Sequence, residues 1–117
     1  VMARIPGLKL VEMEHNRRHC LCCGGGGNLE MIDPDLSAAM SKRKVEEAVR
    51  TGAQAIVTNC QQCVRTMTTY AKRNKVNIEV LDMSQLVARS LQTHASEAKA
   101  RADSAAQAVQ TAASAQA

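Results

Sequence analysis

Two adjacent cysteines run straight into four glycines, Cys22-Cys23-Gly24-Gly25-Gly26-Gly27, and a second pair, Cys60-Gln61-Gln62-Cys63, follows with 36 residues between Cys23 and Cys60. No other part of the chain concentrates residue types capable of demanding chemistry. The glycines also limit the local fold. They end any regular element before them, because glycine alone takes positive φ without penalty.

The remaining pattern alternates short apolar runs with helical periods. Residues 8–13 read as a short strand, with Leu8, Leu10 and Val11 as its apolar positions, and Cys20-Leu21-Cys22-Cys23 as a second. Asp33-Pro34 opens a helix, with Asp33 suited to the N-cap and Pro34 to the first helical position. It runs to Thr51 and stops at Gly52. Its apolar residues fall on two stripes, Leu36, Ala39 and Met40 against Ala38, Val45, Ala48 and Val49. Ala53 to Thr58 is the best strand, bounded by Gly52 and Asn59. A helix follows over 61–74, with Val64, Met67, Thr68 and Ala71 at helical spacing. A strand over Val76–Leu81 then alternates Val76, Ile78 and Val80, and Ser84 caps a last helix.

Strands alternating with helices give βαβ units. The expected class is α/β: a small, parallel-sheet, layered domain over residues 1–95. A tail over 96–117, rich in Ala, Ser and Gln, is expected to be a frayed helix or disordered, since it has almost no large apolar residue to hold against a core.

Composition narrows the function. Hydrophobic residues are 45 % of the 117, but Tyr70 is the single aromatic, so the core is aliphatic. The net charge of +4 is carried by scattered residues with no aromatics between them. Base stacking of the kind single-strand binders use is therefore ruled out, and no nucleic-acid partner is expected. A run such as Lys42-Arg43-Lys44 reads as a solvated helix face. No apolar run approaches a membrane span and no signal peptide opens the chain, so a cytoplasmic setting is expected. Thiols stay reduced there, and five cysteines point to metal or redox chemistry rather than a disulfide frame.

In a parallel sheet, ligands gather at the carboxyl ends of the strands. Cys22-Cys23 and Cys60 both end predicted strands, so the two cysteine pairs belong on one edge. Thiolates hold iron–sulfur clusters, commonly four to a [4Fe–4S] unit. The helix N-terminus behind Cys60 and Cys63 favours thiolate. Gly24, Gly25, Gly26 and Gly27 let the backbone approach a bulky cofactor and present N–H groups to it. Zinc is the alternative, since it also takes four thiolates, although adjacent cysteines tend to point apart and suit one ion poorly. Cys20 is either a buried apolar residue or a further ligand, because residues 20 and 22 face one side of a strand. The glycine run is not a phosphate loop, for neither a Rossmann third glycine nor Gly-Lys-Ser/Thr follows it.

At these residues the chain resembles the cysteine-rich CCG domain family. The matching text is Ile5-Pro6-Gly7-Leu8, Leu10 to Met13, Asn16-Arg17, Leu21 to Gly27, Gly52 to Cys60, and Cys63, within about residues 4–93. The family includes heterodisulfide reductase catalytic subunits and iron–sulfur subunits of lactate, glycolate and glycerol-3-phosphate oxidoreductases. The resemblance implies a [4Fe–4S] cluster, noncubane or related, with Cys22, Cys23, Cys60 and Cys63 at ligand positions. It implies electron transfer to a disulfide and its reductive cleavage, with a small disulfide or thiol as substrate. Alternatives are an electron relay in a hydroxy-acid or quinol oxidoreductase, or a zinc-stabilised interaction module without catalysis. Other redox subunits are implied as partners, among them a membrane quinol or cytochrome subunit that would hold the domain peripherally at the membrane. The family pattern carries a further cysteine some three dozen residues before the doublet, and only 21 residues precede Cys22 here. Either the chain is a fragment, inactive alone, or Cys20 substitutes.

Overall fold

The computed structural model describes residues 1–115. Among them the order is α1 (Leu29–Ile32), α2 (Pro34–Arg50), β1 (Ala55–Thr58), α3 (Gln61–Arg73), β2 (Glu79–Asp82) and α4 (Met83–Ala115), with three short 3-10 turns before α1. The class is mixed α/β. β1 and β2 pair in parallel, with Ala55 opposite Glu79 and Thr58 opposite Asp82, and α3 makes the crossover between them.

The helix boundaries follow from local chemistry. The Asp33 carboxylate accepts the Leu36 N–H at 3.0 Å and Pro34 occupies the first turn of α2. The chain leaves α2 through Gly52, whose φ of +74° suits a residue without a Cβ. α4 begins one residue before Ser84, and its cap is Asp82 rather than Ser84. The Asp82 carboxylate accepts the Ser84 N–H at 2.8 Å and its hydroxyl at 2.6 Å. Those contacts, the hydroxyl first, hold the Asp82 carboxyl below its usual range, with Gln61 adding to them.

Two expected strands are absent from the described residues. The sheet has two strands, and both 8–13 and 20–23 are irregular. A strand needs a neighbour for its N–H and C=O groups, and Leu10 and Val11 remain 54 % and 41 % exposed rather than packed in a layer. The last strand is also shorter than its alternation suggests, starting at Glu79 rather than Val76.

The core is small and aliphatic. Val45 and Ala48 of α2, Ile56 of β1, Met67 of α3 and Val80 of β2 form it together with Cys23, and Met13, Val64, Tyr70 and Ile78 pack against them. The face that α2 buries is not apolar throughout. Ser37, Ser41, Lys44 and Glu47 lie on it beside Val45 and Ala48, while Leu36 and Val49 are about half exposed.

The chain divides into two compact units, Val1–Leu86 and Val87–Ala117. In the second, the helix continues through Ala115 and residues 91–109 are exposed throughout. The expected tail is thus helical over its described part; residues 116–117 lie outside the described residues. No helix among the described residues is long and apolar enough to cross a membrane.

Candidate metal centre

Cys60 is the N-cap of α3 and Cys63 lies one turn further along. The strand before them sets this position: β1 ends at Thr58, whose hydroxyl accepts the Cys60 N–H at 3.3 Å, and α3 starts at once. Parallel pairing puts the end of β2 on the same edge, where the Gln61 side-chain amide donates to Asp82 at 2.9 Å.

The cysteine doublet reaches this edge without a strand. Cys23 turns inward, is 6 % exposed and joins the core. Its thiol donates to the Cys63 sulfur at 2.9 Å. Cys22, next to it, is exposed, and its sulfur accepts the Gly24 N–H at 3.4 Å.

The backbone at Gly24 and Gly25 comes close to two helices. A Cβ on Gly24, whose φ is +83°, would stand 2.5 Å from the Ser37 carbonyl oxygen of α2. One on Gly25 would overlap the Thr66 hydroxyl of α3. The Ser37 hydroxyl donates to the Gly24 carbonyl at 2.7 Å, which fastens the loop to α2. Beyond the loop, Thr66 donates to Glu30 at 2.8 Å. Added Cβ atoms on Gly26 and Gly27 would meet nothing within 4 Å. Two of the four glycines are thus required for packing of the loop, a use distinct from a direct approach to a cofactor.

The thiols of the Cys-x-x-Cys pair are in different electrostatic situations. The Cys63 N–H and then the Cys63 thiol hold the exposed Cys60 thiol below the ordinary value of 9.0, with the Gln62 N–H adding to them. Donors at a helix start stabilise a thiolate in this way. Burial, followed by the contacts with Cys23 and Cys60, pushes the Cys63 thiol up to about 12. A cationic metal centre would reverse that preference, because coordinated thiols are deprotonated.

Cys20 stands in another environment. The Lys44 ammonium, on the buried face of α2, donates to its sulfur at 2.9 Å. Glu47, one turn on, is 4 % exposed and accepts the His15 backbone N–H, and His15 Nδ1 is 3.2 Å from the same oxygen. The His15 backbone N–H, then the His15 ring and finally Lys44 hold the Glu47 carboxyl below its usual 4.5 against burial. This polar group ties the segment before the doublet to α2. Sequence reasoning missed it because its partners lie 24 and 32 positions apart. The available signal was the run of polar residues at positions 37, 41, 44 and 47, which follows the helical period.

The structure therefore brings Cys23 and Cys63 together, joins Cys60 to Cys63, leaves Cys22 exposed on the adjoining loop, and sets Cys20 on Lys44. Among the described residues no three His, Cys, Asp or Glu groups stand where a single metal ion could take all of them. The sulfur contacts are pairwise. In donor chemistry the site is thiol throughout, which fits an iron–sulfur centre whose ligands are shared among several irons. Cys23 and Cys63 must draw apart to serve as separate ligands.

The family model described as "Cysteine-rich domain", CCG, matches residues 1–68. A component of the dihydromethanophenazine:CoB–CoM heterodisulfide reductase of Methanosarcina barkeri is 36 % identical over 91 residues, covering 78 % of this chain and 22 % of that protein. The protein named "Probable iron-sulfur-binding oxidoreductase FadF" of Bacillus subtilis is 29 % identical over 93 residues, covering 78 % of this chain and 13 % of its own length. Lactate utilization protein A 1 of Bacillus mycoides is 29 % identical over 83 residues, covering 71 % and 33 %. The chain spans between about an eighth and a third of the length of these curated relatives. No solved structure matches it. With more than half of its residues matched by the family model, the chain belongs to the CCG cysteine-rich domain family.

Proposed function

We propose that this chain is an iron–sulfur domain from a subunit of a heterodisulfide-reductase-like oxidoreductase, with Cys22, Cys23, Cys60 and Cys63 as ligands of a [4Fe–4S] cluster, noncubane or related. The observation that carries the reading is the meeting of Cys23 with Cys63, beside Cys60, at the carboxyl end of β1. The names of the relatives, an iron–sulfur-binding oxidoreductase and a heterodisulfide reductase component, support the same chemistry.

When bound, the cluster supplies one-electron transfer and a metal face for sulfur. The chain's own residues do the rest. The Cys63 N–H, then the Cys63 thiol and last the Gln62 N–H favour thiolate at Cys60. The core around Cys23 keeps bulk water from the inner side of the site, which tunes a cluster's potential. Gly24 and Gly25 let the loop after the doublet lie against α2 and α3, with Cys23 turned inward and Cys22 exposed. A small disulfide or thiol substrate would meet the site from there. The partners are other subunits of a redox complex, and a membrane quinol or cytochrome subunit would hold the domain at the membrane surface.

The second reading is an electron relay in a hydroxy-acid oxidoreductase, favoured by the likeness to a lactate utilization protein. Anaerobic reconstitution of the chain with iron and sulfide tests the cluster, and zinc bound in place of iron defeats it. A disulfide-reduction assay on the intact complex separates the two readings: turnover supports the reductase, and a cluster-loaded but inert complex supports the relay.

A further inference from the structure

The geometry points to a disulfide modification site in the cluster-free chain, formed between Cys23 and Cys63 rather than within the Cys60-x-x-Cys63 pair. In general, a Cys-x-x-Cys at a helix start can close an internal disulfide. The fold adds a third sulfur, because Cys23 arrives from 40 positions away and its thiol touches Cys63 at 2.9 Å. Cys63 thus has two thiol neighbours, one exposed and one buried.

Exposure sets the order of events. Of the three sulfurs that meet, Cys60 is exposed, Cys63 half-buried and Cys23 buried, so a low-molecular-weight disulfide, the oxidant, enters this group at Cys60. The Cys60 sulfur bonds to one half of the reagent, and the other half leaves as a thiol. Cys63 then displaces the second half from Cys60, giving Cys60–Cys63. Cys23, already against Cys63, attacks that sulfur, and Cys60 leaves as a thiol. In sum, two protein thiols lose two electrons and two protons, and one reagent disulfide becomes two thiols. The product bond ties buried Cys23 to half-buried Cys63 and is attacked by external thiols more slowly than a Cys60–Cys63 bond, which keeps an exposed sulfur.

Bond formation requires no cluster. Its consequence, that the oxidised chain cannot be loaded, rests on the ligand reading above, because both sulfurs would be removed from the donor set.

The test oxidises the cluster-free 117-residue chain with oxidised glutathione, blocks remaining thiols and maps tryptic peptides without reduction. His19–Lys42 carries Cys20, Cys22 and Cys23, and Thr51–Arg65 carries Cys60 and Cys63. The expected dominant product joins these two peptides, persists in Cys20→Ser and Cys22→Ser, and still forms, more slowly, in Cys60→Ser, which lacks the exposed entry sulfur. A dominant bond inside Thr51–Arg65, or a cross-link that disappears in Cys22→Ser, would overturn the inference. Iron uptake by the oxidised chain is then measured before and after dithiothreitol. Loss of uptake restored by the reductant upholds the block. Undiminished uptake with the Cys23–Cys63 bond mapped would leave the bond standing and overturn Cys23 and Cys63 as ligands.

Discussion

The Cys23 sulfur stands 2.9 Å from the Cys63 sulfur, although 40 positions separate the two residues. One belongs to an irregular segment that ends in the glycine run, the other to the first turn of α3. Their meeting joins the two cysteine pairs into a single site, and several consequences can be measured.

Substitution separates the sulfurs by environment. Cys23→Ser and Cys63→Ser are expected to abolish stable iron and sulfide retention after anaerobic reconstitution, because each removes a proposed ligand whose sulfur meets the other at 2.9 Å. Cys20→Ser is expected to retain both, because its sulfur rests on Lys44. Colorimetric iron and sulfide per chain is the readout, and a Cys20→Ser variant that loses its iron would make Cys20 a ligand.

The glycines differ in what they tolerate. Gly24→Ala sets a Cβ against the backbone of α2 at a positive φ, so the helix or the loop must shift. A loss of about 2–4 kcal/mol is expected from overpacking and backbone strain together. Gly25→Ala meets the Thr66 side chain, which is β-branched and buried, and is expected to cost about 1–3 kcal/mol. Gly26→Ala meets nothing, and its effect is expected to stay within about 1 kcal/mol. Denaturant melts of the cluster-free chain check the order Gly24, Gly25, Gly26.

The contrast between Cys60 and Cys63 predicts a pH profile. In the cluster-free chain Cys60 forms thiolate below the ordinary 9.0, while Cys63 is held neutral until about 12. Iodoacetamide should therefore label Cys60 at lower pH than an ordinary cysteine, with Cys63 following only in strong alkali. The folded-state value of Cys63 is raised, so its neutral form favours the fold below 9.0 and that contribution is lost as pH climbs from 9.0 toward 12. Mass-spectrometric labelling against pH measures both.

Much of this arrangement can be read from the chain itself. The Asp33-Pro34 start of α2, the Gly52 stop, β1 and α3 all carry strong local signals, and parallel pairing then sends Cys60 to the sheet edge. The doublet illustrates a different case. Cys20 to Cys23 has the composition of a strand, yet nothing pairs with it, and burial of Cys23 rather than a ladder fixes its place. The inner face of α2 was hidden for a related reason: Ser37, Ser41, Lys44 and Glu47 occupy core-facing positions that a count of apolar residues assigns to solvent.

Glu47 links that hidden face to acid stability. Its folded-state value is lowered, so its charged form favours the fold above the ordinary 4.5, and that contribution is lost as pH falls through the depressed value. Glu47→Gln keeps the shape but removes the charge beside Lys44 and His15. A loss of about 1–3 kcal/mol at neutral pH is expected, shrinking in acid as the wild type loses the same charge. Chemical denaturation at neutral pH and in acid well below pH 4.5 reads the difference.

The central claim is that the doublet and the Cys-x-x-Cys pair close around one iron–sulfur centre. X-ray absorption at the iron edge of the anaerobically reconstituted chain tests it most directly. The account predicts sulfur as the dominant neighbour of iron together with an iron–iron scattering path, both lost in Cys23→Ser and Cys63→Ser. Iron surrounded only by oxygen or nitrogen, or a chain that takes up zinc and no iron, would contradict it.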